Sequence, residues 1–148
     1  MTKGINVQRE VDSAIDTKRE NTDQLARLII SAALEKKATN IAIMEMREVS
    51  GVADYFIICT GGSEQQIRAI CDEIRHQAKE TLREIPWQKE GESHYSWVVL
   101  DYVDVVVHIM NPEKRGYYQL ERLWGDANIE YIDDDSVAPD IQLFSNID

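Results

Sequence analysis

A chain of 148 residues is the size of one domain, and at that length folding withdraws roughly two thirds of the unfolded surface from water, enough for a core without metal or disulfide staples. Its 16 Lys plus Arg against 27 Asp plus Glu leave a net charge of -11, the wrong sign for gripping a phosphate backbone; little direct nucleic-acid binding is expected, and a basic protein partner is favoured. No apolar run is as long as a membrane span, and residues 1–21 lack both the apolar centre of a secretion signal and the acid-poor composition of a transit peptide. A cytoplasmic protein is therefore expected, with Cys59 and Cys71 as free, buried thiols, since neither has the spacing of a zinc ligand.

Residues 1–21 are polar with little apolar periodicity and read as a mobile arm or a frayed helix. A helix is predicted to begin near Thr22 or Asp23, either of which suits a cap. Leu25, Leu28, Ile29 and Ala32 form its inward stripe, Lys36 and Lys37 lie at its negative end, and Asn40 stops it. Residues 41–49 alternate and predict a half-buried strand; after a turn at Ser50 and Gly51, the uniformly apolar run 55–59 predicts a central strand covered on both sides. Thr60-Gly-Gly-Ser63 ends that strand, and Ser63 with Gln66 matches a capping box. Ile67, Ile70, Cys71, Ile74 and Ala78 carry the helix to about Arg83.

Pro86 and Trp87 open a short extended stretch, residues 91–95 are loop, and residues 97–110 read as a hairpin. Asn111-Pro112 caps and starts a further helix, on one face of which Tyr117, Leu120, Glu121 and Trp124 fall at helical spacing; Leu120 and Leu123 are expected to pack on the sheet. The acidic end is expected to be poorly ordered apart from a short docking element at Ile141, Leu143 and Phe144. The expected organisation is a flexible arm over 1–21, one α/β domain over 22–135 with a mixed sheet and helices mainly on one face, and an acidic tail over 136–148.

The hairpin is the most informative stretch. With residues 102–103 as a two-residue loop, alternation puts Val98, Leu100, Tyr102, Val105, Val107 and Ile109 on one face, an apolar set that belongs in a core. The other face carries Trp97, Val99, Asp101, Asp104, Val106, His108 and Met110. That register sets Trp97 opposite His108 and Asp101 opposite Asp104, a like-charge pair that costs stability unless a partner offsets it. An aromatic beside two carboxylates, facing away from the core, has the makings of a docking surface.

Catalytic readings find little support. A strand ending in Gly62-Ser63 before a helix is similar to the nucleotidyltransferase entry motif, whose amides hold a triphosphate. That chemistry needs carboxylates for two metal ions, normally an Asp-x-Asp or Asp-x-Glu pair on the next strand, and the pair is missing there. Asp72 and Glu73 lie adjacent in a helix, and Asp101 and Asp104 are three apart. His76, His94 and His108 are scattered over a helix, a loop and a strand, with no hydrolase elbow, metalloprotease motif or phosphate loop among them. No catalytic residue, cofactor or metal is assigned. A metal-dependent nucleotidyltransferase and a protein-binding adaptor stand only as alternative functions.

Four blocks in order, residues 54–63, Glu90-Gly91, residues 97–108 and residues 115–124, resemble the ribosomal silencing factor, or Iojap-like, family. The resemblance spans about residues 25–127. It implies a mixed sheet of nucleotidyltransferase-like type without the catalytic carboxylates. It also implies a translational repressor, active when nutrients are scarce, that binds the large ribosomal subunit through one of its proteins, the fourteenth, and blocks joining with the small subunit. The partner-binding set then comprises Trp97, Tyr118 and Trp124 as aromatic anchors, Asp101, Asp104 and Glu121 as carboxylates, and Arg115 from the last block. One residue departs from the family turn Asp-Tyr-Gly-Asp: Val103 stands where glycine usually does, although a β-branched residue resists the positive φ of tight hairpin turns. Homodimerisation is left open.

Overall fold

The computed structural model describes residues 3–49 and 51–132, with side chains from Gln8 onward. Its elements in chain order are α1 (Lys3–Glu35), β1 (Thr39–Glu45), β2 (Tyr55–Thr60), α2 (Glu64–Leu82), β3 (Gln88–Glu90), β4 (Trp97–Asp101), β5 (Val105–Met110), α3 (Pro112–Tyr118), α4 (Leu120–Leu123) and β6 (Asn128–Ile132). The strands form one mixed sheet in the order β3-β4-β5-β2-β1-β6, antiparallel except where β2 runs parallel to β5. A parallel pair needs a crossover, and α2 begins the one that carries the chain from β2 to β5.

The first helix begins far earlier than Thr22. α1 runs through residues 3–21 without a break, with the side chains of residues 8–21 exposed. Neither expected cap acts as one. Thr22 is buried and its hydroxyl donates back to the Lys18 carbonyl at 2.9 Å, while the Asp23 carboxylate accepts from the Tyr55 hydroxyl at 2.8 Å. The stop also differs. Lys37, at φ 62°, supplies the left-handed residue, and the Ala38 amide reaches the Ala33 carbonyl at 3.0 Å, so the turn closes three residues before Asn40. Leu25, Ile29 and Ala32 are buried on the inward stripe as expected, and Leu28 is partly buried.

The capping box forms with one variation. Ser63 Oγ accepts from the Gln66 amide at 3.1 Å, but Gln66 Oε1 returns to the Gly62 amide at 2.7 Å, one residue before the cap. The same Gln66 donates through Nε2 to the carbonyls of Lys36 and Lys37 at 3.1 and 2.9 Å, tying the start of α2 to the end of α1. These helices pack on each other and on one face of the sheet. Between lie Ile29, Ile41, Ile43, Ile57, Ile67, Ile70, Ile74 and the inner hairpin set, all buried. Cys59 and Cys71 are free and buried there, and burial pushes both thiols up to about 12.

β1 is covered on both sides rather than half-buried. Ile41 and Ile43 join the helix-covered core, whereas Met44 and Met46 enter a smaller cluster on the opposite face. Alternation in this strand reports which core a side chain enters. β6, unforeseen in the sequence, pairs with β1 and closes that edge. Expectations for residues 133–148, including the domain limit at 135 and the element at Ile141, Leu143 and Phe144, fall outside the described residues, as does Ser50.

Candidate functional site

Among the described residues, the helices over the opposite face of the sheet are α3 and α4, and the hairpin reaches it in a different register from the one expected. Trp97 pairs with Met110, Val99 with His108 and Asp101 with Val106, so the two-residue loop is Val103 with Asp104. The physical cause is local. Val103 adopts φ 74° in a tight turn in which the Asp104 amide donates to the Tyr102 carbonyl at 2.9 Å, and Asp101 Oδ1 accepts from the Val103 amide at 2.8 Å. The expected Asp101–Asp104 and Trp97–His108 pairings are thereby corrected. A shift of two residues preserves the faces, however, and Val98, Leu100, Tyr102, Val105, Val107 and Ile109 are all buried in the helix-covered core.

The outer set divides in two. Val106, His108 and Met110 of β5 are buried, whereas Trp97, Val99, Asp101 and Asp104 are half-buried. Trp97 leans diagonally onto His108, its indole N–H donating to His108 Nδ1 at 3.1 Å. The neutral imidazole then carries its proton on Nε2, which is buried without a hydrogen-bond partner among the described residues. Burial lowers the His108 pKa to about 4. The rings of Phe56 and Tyr118 continue the group, Phe56 at 5.2 Å from His108 and Tyr118 at 4.7 Å from Trp97. Trp124 stands edge-on to Phe56 at 6.1 Å.

The helix expected to follow β5 is two helices. Asn111 Oδ1 caps the first by accepting from the Lys114 amide at 2.7 Å, with Pro112 at the first helical position. Gln119, at φ 47°, then breaks it. The expected stripe is lost at that point. Tyr117 is 80% exposed, Leu120 is buried, and Leu123, expected to pack, is 68% exposed. Arg115 bridges the break, donating to Thr60 Oγ1 at 2.9 Å and to Glu121 Oε2 at 3.2 Å. Glu121 is thus a partner of Arg115, not a free carboxylate. Lys114 lies over the Tyr118 ring at 5.9 Å.

The fold therefore brings Trp97, Tyr118, Trp124, Arg115 and Glu121 to one end of the face. Asp101 and Asp104 sit at the other, since the four steps from Trp97 to Asp101 span about 13 Å of strand. Sequence reasoning missed Phe56, which follows from reading β2 as alternating, and gave His108 only a structural part. Gly91 explains its own block. At φ 90°, a Cβ there would fall on the Trp97 carbonyl oxygen, so the loop before β4 closes only over glycine.

A family model described as "Ribosomal silencing factor during starvation" matches residues 19–144. The chain belongs to that family. It is 41% identical over 107 residues to a ribosomal silencing factor of Halalkalibacterium halodurans, covering 72% of this chain and 91% of that one. A crystal structure of a protein from Chromobacterium violaceum superposes with a TM-score of 0.67 at 31% identity, over 70% of this chain and 85% of that one. A more distant mouse relative, named mitochondrial assembly of ribosomal large subunit protein 1, is 29% identical over 99 residues, which cover 66% of this chain and 43% of that protein. The resemblance seen in the four sequence blocks is the right one.

Proposed function

We propose that this chain represses translation by docking on the large ribosomal subunit through a basic ribosomal protein, the fourteenth by family resemblance, and obstructing the small subunit sterically. The observation that carries this reading is the face of the sheet over which, among the described residues, two short helices lie, where the Trp97 and Tyr118 rings meet tilted at 47° with centroids 4.7 Å apart, in a chain of net charge -11. Interfaces draw most of their energy from a few such aromatic anchors. Trp97 and Tyr118 are the anchors. Trp124 backs them through Phe56, Asp101 and Asp104 supply charge toward a basic partner, and Arg115 with Glu121 holds the α3–α4 break behind Tyr118. An acidic protein is repelled by ribosomal RNA and reaches the particle by way of a basic protein on its surface. The mouse relative's name points to the same subunit.

We read the sheet as nucleotidyltransferase-like without the catalytic carboxylates, and the chain as a cytoplasmic non-enzyme. The amides of Gly62 and Gln66, which a triphosphate would use, already donate to Gln66 Oε1 and Ser63 Oγ. Asp72 and Glu73 pair instead with Arg68 at 4.0 Å and Lys36 at 3.8 Å. No described helix is long and apolar enough to cross a membrane.

Sedimentation with purified subunits tests the reading. The protein is expected to travel with isolated large subunits and not small ones, to reduce joined particles when added before the subunits are mixed, and to bind more weakly as salt rises. Failure to travel with large subunits at low salt overturns it.

A further inference from the structure

We propose that His108 is a positioning residue for the docking face: its Nδ1 holds the Trp97 indole in the orientation that Tyr118 packs against, so the surface is formed before the partner arrives. This rests on the docking function proposed for the face. In β5, His108 stands among Val105, Val106, Val107, Ile109 and Met110, all buried. A polar ring there is costly, and here it is only half satisfied, because Nε2 has no partner among the described residues. Packing alone is better served by an apolar ring of similar volume. What an apolar ring lacks is an acceptor, and His108 Nδ1 accepts from the Trp97 indole at 3.1 Å.

That bond is not the one that strand pairing supplies. Trp97 faces Met110 across the ladder, so its indole must lean diagonally, two residues along β5, to reach the imidazole. In that orientation its ring lies 4.7 Å from Tyr118, which in turn carries Lys114 at 5.9 Å. A half-buried indole without this acceptor has other rotamers open to it, and binding would then carry the entropic cost of choosing one.

His108→Phe keeps the volume and removes the acceptor; His108→Asn keeps an acceptor near the Nδ1 position. Three measurements on each full-length variant separate the outcomes: melting temperature, affinity for isolated large subunits, and the indole N–H resonances of the free protein, with Trp97 assigned by Trp97→Phe. The expected result is a His108→Phe protein that melts at or above the wild-type temperature, has the Trp97 resonance moved upfield with Trp87 unmoved, and binds about ten-fold more weakly. His108→Asn recovers much of the lost affinity. Wild-type affinity in His108→Phe despite a moved Trp97 resonance overturns the proposal, as does an unmoved resonance. If His108→Phe melts early, His108→Asn decides: an acceptor-bearing variant that folds but binds as weakly as Phe also overturns it. Should the wild type itself fail to bind large subunits, the docking reading falls, a result distinct from any of these.

Discussion

The two faces of the sheet are built from the same strands under different rules. On one, α1 and α2 lie over Ile, Leu and Val side chains that are fully buried, and the covering helices are long. On the other, two short helices broken at Gln119 cover Met44, Met46, Ile58, Met110 and Leu120, and leave Trp97, Phe56 and Trp124 half-buried at the margin. The lesson is a division of labour within one sheet. The first face is buried throughout, whereas the second buries its centre and leaves aromatic area half-exposed at its margin.

The sharpest test of that division is to truncate one residue of the hairpin on each side. Leu100→Ala, on the helix-covered face, is expected to cost about 2–5 kcal/mol of stability, read from denaturant unfolding. A loss under about 1 kcal/mol would show that this face is not the stable one. Next in size is a pH effect confined to the other face. Because the folded-state pKa of His108 is lowered to about 4 from an ordinary 6.5, the unfolded chain binds the extra proton first. Stability from this group is full above 6.5 and is lost as pH falls from 6.5 toward 4, by up to about 3 kcal/mol. Unfolding of wild type and His108→Phe across that window measures it as the difference in slope.

Trp97→Ala is expected to weaken large-subunit binding by about 2 kcal/mol, while its melting temperature falls less than that of Leu100→Ala. The reverse ranking would make Trp97 a core residue. Smaller still, Val103→Gly relieves a β-branched residue at φ 74° and is expected to raise stability by about 1 kcal/mol, seen as a higher melting temperature. Asp101→Asn keeps an acceptor for the Val103 amide, so stability should change by less than about 0.5 kcal/mol while affinity and its salt dependence fall modestly. Unchanged salt dependence would remove Asp101 from the interface.

What could be read in the chain was local or periodic. The Ser63–Gln66 and Asn111–Pro112 starts, the α2 stripe and the inner hairpin face each depend on residues within a few positions of one another, and a register error of two leaves a face intact. The four family blocks were likewise legible, because their residues stand in the sequence whatever their contacts.

The candidate site was legible only in part. Trp97 and Tyr118 were named from type and position, but their contact, and the His108 bond behind it, joins residues 21 and 11 apart that meet only once the hairpin and α3 are in place. Arg115 and Glu121 are both legible as candidates, but not as partners of each other, because their contact across the break depends on Gln119 turning left-handed.

By itself, then, the sequence determined the fold class, the family, the inner core face and the helix starts that carry caps, since short-range hydrogen bonding and side-chain periodicity act before any tertiary contact forms. Only the tertiary structure decided the hairpin register, the break in α3–α4, the burial of both sides of β1 and the placement of β6. Each of these is a competition between local preference and packing across the sheet, and burying apolar surface on a second face outweighs the small cost of a Val103 or Gln119 at positive φ.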